Sequence, residues 1–148
     1  MRIFPPVIHV VAIAIGFLLQ WAAPVRMGGI ARQLALFAGW VLLAAAVGLI
    51  VWAAIVMSRS GTTPNPTRPT TALVIRGPFR LTRNPMYLAW ELIIVGVGLA
   101  ANAPWVIVMA VPAASVTLRL VIDKEERYLT TKFGAQYRDY QARVRRWA

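Results

Sequence analysis

The chain has 148 residues, 59% of them hydrophobic, with a mean hydropathy of +0.62, where a soluble domain sits nearer roughly 45–50% apolar; composition therefore selects an integral membrane protein. Its 16 Lys and Arg against 5 Asp and Glu give a formal net charge of +11, but most of these charges lie outside the apolar runs, which argues against nucleic acid as a partner and for contact with anionic lipid. With no cysteine and one histidine, His9, the chain is denied a disulfide framework, a thiolate nucleophile and a zinc site, so neither metal nor covalent chemistry is expected.

Four stretches are apolar enough to form helices in lipid, where about 20 residues are needed to cross. The first runs from about Pro5 to Ala23. Its single early Arg, apolar stretch and small residues also fit a signal peptide, but the Pro5-Pro6 pair and Trp21 suit an anchored helix better. The second, from about Gln33 to Met57, has no charge inside it. The third spans about Met86 to Ala101 and the fourth about Pro104 to Ile122. The turn residues of "ANAP" between them predict an antiparallel hairpin. The expected fold is all-α, with about four transmembrane helices and a C-terminal amphipathic helix. Apart from Arg119 near the end of the fourth span, all Lys and Arg except Arg26 and Arg32 then fall on one side, so both termini are expected in the cytoplasm.

Ser58 to Arg83 is too long for a passive connector. "SGTTPNPTRPTT" reads as a linker, whereas "ALVIRGPF" has a short apolar run, a Gly77-Pro78 turn and then Phe79. It leads into Arg80, Arg83, Asn84 and Pro85. Pro85 suits the first turn of the third helix, and Asn84 the N-cap, where its side chain can satisfy an orphan amide.

The exit of the fourth span reads "LVIDKEERYL", with Asp123, Glu125 and Glu126. A tight hairpin makes it a neighbour of the third helix's start, so Arg80, Arg83, Asn84 and Tyr87 should face a pair of carboxylates. Glu91, the only acidic residue inside a predicted span, shares a helix face with Tyr87. An ionisable group at that depth is costly and faces a cavity or a partner, so Glu91 is expected in a pocket. Leu129, Phe133, Tyr137, Tyr140, Val144 and Trp147 form an apolar stripe, broken by Gly134, which can hinge two short helices. Such a basic amphipathic tail lies on the leaflet or folds over the mouth as a lid.

"LVIRGPFRLTRNPMYLA" followed by "EERYLTTKFGAQYRDYQARV" resembles the isoprenylcysteine carboxyl methyltransferase and phospholipid methyltransferase superfamily. The likeness covers about Thr71 to Val144. Its first block is represented by Gly77, Pro78, Phe79, Arg83, Asn84, Pro85, Tyr87 and Ala89, with Asn84 in place of the usual histidine and Ala89 in place of glycine. The second block is Glu125, Glu126, Phe133, Gly134, Tyr137 and Tyr140. The resemblance implies an enzyme that transfers a methyl group from S-adenosylmethionine, held between the two blocks at the cytoplasmic mouth. Gly77, Pro78, Phe79, Arg83, Asn84, Pro85, Tyr87, Glu125, Glu126 and Tyr137 are then the cofactor-binding candidates. Glu91 and Arg83 are the catalytic ones. A one-step displacement needs no nucleophilic side chain, and alignment of donor and acceptor supplies much of the rate.

The implied partners are membrane lipid and a lipophilic or small membrane-accessible acceptor. Two other readings compete. A sterol-reductase-like enzyme would use NADPH in the corresponding place, although paired glutamates suit a phosphorylated dinucleotide poorly. A non-catalytic adaptor gripping lipid headgroups would explain the charge and the tail, but not Glu91 or the glutamate pair. The Gly96-Val97-Gly98 run, mid-span, reads as a close approach of helices.

Overall fold

The computed structural model describes residues 5–63 and 70–147. Arg2 and residues 64–69, which carry part of the charge asymmetry and half of the linker, lie outside that range. The protein is all-α, with no strand among the described residues. Helix α1 is Pro5–Ala22 and α2 is Gly29–Arg59. A short 3₁₀ turn, Gly77–Arg80, precedes α3, Pro85–Ala100. Helix α4 is the long apolar rod Pro104–Phe133, and α5 is Ala135–Arg143. Three of these, α1, α2 and α4, are long and apolar enough to cross a membrane, and α3 is a shorter apolar helix beside them.

The lengths differ in a way that builds a mouth. At 1.5 Å per residue, α2 with its 31 residues and α4 with its 30 reach about 45 Å, and α3 with its 16 only about 24 Å. The long pair therefore overhangs the short helix. Its overhang on α4 carries Asp123, Glu125 and Glu126. The sequence reading ends the fourth span near Ile122, but the helix runs on to Phe133 through a π turn at Leu118–Ile122. Nothing in Asp123–Phe133 breaks a helix, and the first such residue is Gly134, at φ +55°.

Small residues set the helix spacing. Ile94, Val106, Ala103, Ala113 and Ala12 form the buried core where α1, α3 and α4 meet. A Cβ on Gly39 of α2 would lie 2.6 Å from Ala100 N and 2.8 Å from Gly96 O, and one on Gly98 would lie 2.5 Å from the Ile107 side chain. Gly96 and Gly98 thus serve close packing, as their mid-span position suggests. Gly39→Ala is expected to destabilise the protein by about 1–3 kcal/mol, because the obstruction is backbone that cannot swing away. Thermal unfolding in detergent measures it, and Gly48→Ala, where a Cβ meets nothing within 4 Å, is the control.

Outside the core, the surface of α1 and α2 is apolar. Val10, Leu18, Trp21, Leu34, Phe37, Trp40 and Val47 are all exposed, as expected of side chains that face lipid rather than water. At the far end from the mouth, Arg32 donates from Nη1 to Leu99 O (3.0 Å) and from Nη2 to Ala100 O (2.9 Å). It caps the C-terminus of α3, where a cation meets the negative end of the helix dipole. Asn102, the expected turn residue, has φ +54° and holds Met27 through both its N–H and its carbonyl.

Candidate active site

Gly77 starts the mouth. It adopts φ +58°, and a Cβ there would sit 2.8 Å from Val56 and 3.2 Å from the Trp52 indole nitrogen, so both the backbone and the α2 wall require glycine. Pro78 follows, fully buried, and turns the chain through the 3₁₀ segment. Asn84 stands at the N-cap of α3 and Pro85 at its first position. The capping expectation needs one correction. The Asn84 side chain bonds no α3 amide. Its Nδ2 donates instead to Arg146 O at 3.0 Å, and its own N–H is taken by Thr82 Oγ1.

The two sequence blocks meet at Glu126, which is 9% exposed. Arg83 Nη1 lies 3.2 Å from one carboxylate oxygen. Arg146 donates to both, from Nε at 3.0 Å and from Nη2 at 2.6 Å, and also reaches Asp123 at 3.3 Å. Such a two-pronged guanidinium–carboxylate pair is stronger and more directional than a single contact. Glu125, the other half of the pair, accepts from the Tyr87 hydroxyl at 2.8 Å. Of the two carboxylates expected to face Tyr87, it is Glu125 that the hydroxyl meets.

The tail lies over this mouth. Tyr137 and Tyr140 are buried, and the Tyr140 hydroxyl donates to Phe79 O at 2.6 Å. The last residues form a strap on the motif loop: Arg83 N–H donates to Arg145 O at 3.0 Å, and Thr82 Oγ1 and Asn84 Nδ2 both donate to Arg146 O. Burial, followed by the negative charge of Glu126, pushes the Tyr137 hydroxyl up to about 12, tempered by the Arg83 guanidinium. Burial likewise raises Tyr140, so both tyrosines stay neutral. Bonding to Glu126 raises Arg146 further above its ordinary range.

A narrow cavity of about 60 Å³ is lined by Thr70, Val74, Phe79, Arg83, Asn84, Glu125, Glu126, Tyr137 and Tyr140 among others. Across Glu126 lies an open groove of about 490 Å³, bordered by Asp123, Arg127, Thr130, Gln141 and Arg146. Glu126 borders both spaces. Arg83 Nε is buried without a partner, and Nη1 meets Glu126 as an ion pair without hydrogen-bond geometry, so the guanidinium keeps a free donor for an anion.

Of the residues singled out in the sequence, Phe79, Arg83, Asn84, Glu125, Glu126 and Tyr137 therefore line one space. Gly77, Pro78, Pro85 and Tyr87 frame it from behind. Arg80 is exposed and takes no part in the carboxylate cluster. Glu91 lies one turn further along α3 than Tyr87, and its Oε1 is 3.0 Å from Nε2 of His9 on α1. Three participants were not singled out: His9, Thr82 and Arg146. His9 carried a signal, as an ionisable residue inside a predicted span; the backbone contacts of Arg146 carried none.

Residues 34–136 match the phospholipid methyltransferase family. No curated protein and no solved structure matches the chain at a significant level. The family match covers α2, the motif loop, α3, α4 and the start of α5, and so takes in both walls of the mouth. The chain belongs to the phospholipid methyltransferase family and is a membrane methyltransferase.

Proposed function

We propose that this methyltransferase uses S-adenosylmethionine, bound between the two sequence blocks, and acts on a lipophilic or small membrane-accessible acceptor. The observation that supports it best is the meeting of both blocks on Glu126, where Arg83 pairs through Nη1 and keeps its buried Nε without a partner. The donor set suits this zwitterion. Arg83 offers N–H groups to its carboxylate, Glu125 and Glu126 offer oxygens to its ammonium or ribose hydroxyls, and Phe79 and Tyr137 offer faces to its purine or cation. When bound, the sulfonium supplies an activated methyl and leaves as a neutral thioether, keeping the electron pair of the broken carbon–sulfur bond.

The protein's task is then to hold two reactants in line and keep water out. The overhangs of α2 and α4 and the tail across them serve that task. The cavity is smaller than the roughly 300–1,000 Å³ that a small-molecule site takes, so binding requires Arg146 to swing off Glu126 and join cavity to groove. The acceptor reaches the mouth from the bilayer, alongside the short α3. The excess of Lys and Arg on the mouth's side supports a cytoplasmic mouth and cytoplasmic termini.

Calorimetric titration of the detergent-solubilised protein with S-adenosylmethionine, and separately with NADPH, tests the reading. Saturable binding of the first alone is expected. Binding of NADPH alone would transfer the protein to reductase chemistry, and binding of neither would leave a lipid-gripping adaptor.

A further inference from the structure

A second polar site lies deeper in the bundle. His9 is fully buried, and Glu91 is 13% exposed at its side chain. His9 Nδ1 lies 3.1 Å from Pro5 O. A carbonyl oxygen only accepts, so Nδ1 carries a hydrogen. Nε2 and Glu91 Oε1, 3.0 Å apart, would repel as two lone pairs, so one proton lies between them and the pair is neutral as a whole. That neutrality makes a carboxyl tolerable inside a membrane protein. The ring of Trp90, 5.7 Å from that of His9, closes one side.

The other oxygen of Glu91, Oε2, is buried with no hydrogen-bond partner, and so is Thr117 Oγ1. Gly16 faces Val106 and Gly98 faces Ile107. About two turns toward the mouth lead to His9 on α1, to Glu91 on α3, and on α4 to Ala113 and Ala114, with Thr117 about one turn further on. The π turn Leu118–Ile122 begins directly after Thr117, a feature that clusters at functional sites. A buried polar atom without a partner is costly, so Glu91 Oε2 marks a place for a polar head. Glu91 is also a single turn from Tyr87, whose hydroxyl is on Glu125 in the mouth.

We propose that Glu91, held by His9, is the proton acceptor for the methyl acceptor. It selects acceptors whose reacting nitrogen or oxygen still bears a hydrogen and rejects carboxylates. This inference rests on the methyltransferase reading above. In the step, the acceptor's N–H or O–H bond breaks and its electron pair stays on the heteroatom that takes the methyl. The proton forms an O–H bond at Glu91 Oε2, and the bridging proton then belongs to His9, as imidazolium. An anionic acceptor needs no such base and brings no hydrogen to Oε2, so two acceptor oxygens would face each other there. Glu91 is the catalytic residue here and His9 the positioning residue, contributed by α1, which precedes the family-matched residues.

The chain has one histidine, so selective ¹⁵N-histidine labelling gives an NMR signal from this site alone. The full-length protein in micelles, without cofactor, is titrated with dodecylamine, dodecanol and dodecanoate. The amine and the alcohol are expected to shift the His9 Nε2 resonance saturably and dodecanoate to leave it unmoved. In Glu91→Gln, which keeps the shape, the two active probes bind at least about tenfold more weakly. Glu91→Asp should retain part of the response. A parallel titration with S-adenosylmethionine should give the wild-type affinity in Glu91→Gln, showing that the variant is folded. Unmoved His9 signals with all three probes, an equal response to dodecanoate, or an unchanged response in Glu91→Gln would each overturn the proposal. A wild type that binds no S-adenosylmethionine fails the methyltransferase reading instead, whatever His9 does.

Discussion

Glu126→Ala is expected to abolish S-adenosylmethionine binding and to lower stability by about 3 kcal/mol. The carboxylate is nearly buried and stands between Arg83, itself 12% exposed at its side chain, and Arg146. Removing one partner of a buried pair costs about 3–5 kcal/mol, because the charge left behind has lost its compensation. The lower end applies here, since Arg146 at 34% exposure can turn to water and only Arg83 is stranded. The effect on binding and the effect on folding can be separated. Adding Arg83→Met to Glu126→Ala removes the stranded charge and should restore at least half of the lost stability, read as the thermal midpoint in detergent. It should restore no cofactor binding, because both halves of the recognition are gone. Recovery of binding in the double variant would place the cofactor elsewhere, and a loss of stability in the single variant below about 1 kcal/mol would mean that the Arg83–Glu126 contact is weak.

The outline of this site was legible because its parts are written in short, ordered motifs. Gly77-Pro78 announces a turn, Asn84-Pro85 a helix start, and Glu125-Glu126 a charged exit from an apolar run. The hairpin through Asn102 then leaves those ends little choice but to meet. What the sequence could not show are contacts that depend on packing distance or on backbone atoms. His9 reaches Glu91 only because Gly16 lets α1 close on Val106, and no periodicity within α1 encodes a partner on α3. Arg80 and Arg83 look interchangeable as letters. The 3₁₀ turn sends the first to solvent and the second beneath Tyr137 and Tyr140. Asn84 was read as a cap from its position, which is right, but its side chain is engaged by a carbonyl from the far end of the chain. The apolar run ends before α4 does for a physical reason too: hydropathy falls at Asp123 while helix propensity does not.

Truncation after Arg143 is expected to weaken S-adenosylmethionine binding by roughly 30-fold or more, while Arg145→Ala combined with Arg146→Ala weakens it no more than about threefold. The contrast follows from which atoms hold the motif loop. Thr82, Arg83 and Asn84 are tied to the carbonyl oxygens of Arg145 and Arg146, with bonds of 2.9 to 3.0 Å. Those acceptors survive any side-chain substitution and vanish with the residues. Each bond is worth about 1 kcal/mol net. If the three together hold Arg83 and Asn84 in the binding geometry, their loss moves about 2–3 kcal/mol onto the binding step, and each 1.4 kcal/mol is tenfold in affinity. The Arg146 side chain acts the other way. It occupies Glu126 and divides the cavity from the groove, so its removal opens the path that the cofactor needs and offsets the lost ion pair. Calorimetry on the truncated and doubly substituted proteins, with thermal midpoints as the control for folding, compares the two. Equal loss in both would assign the tail's role to its charges, and no loss in the truncation would mean that the loop keeps its shape without the strap.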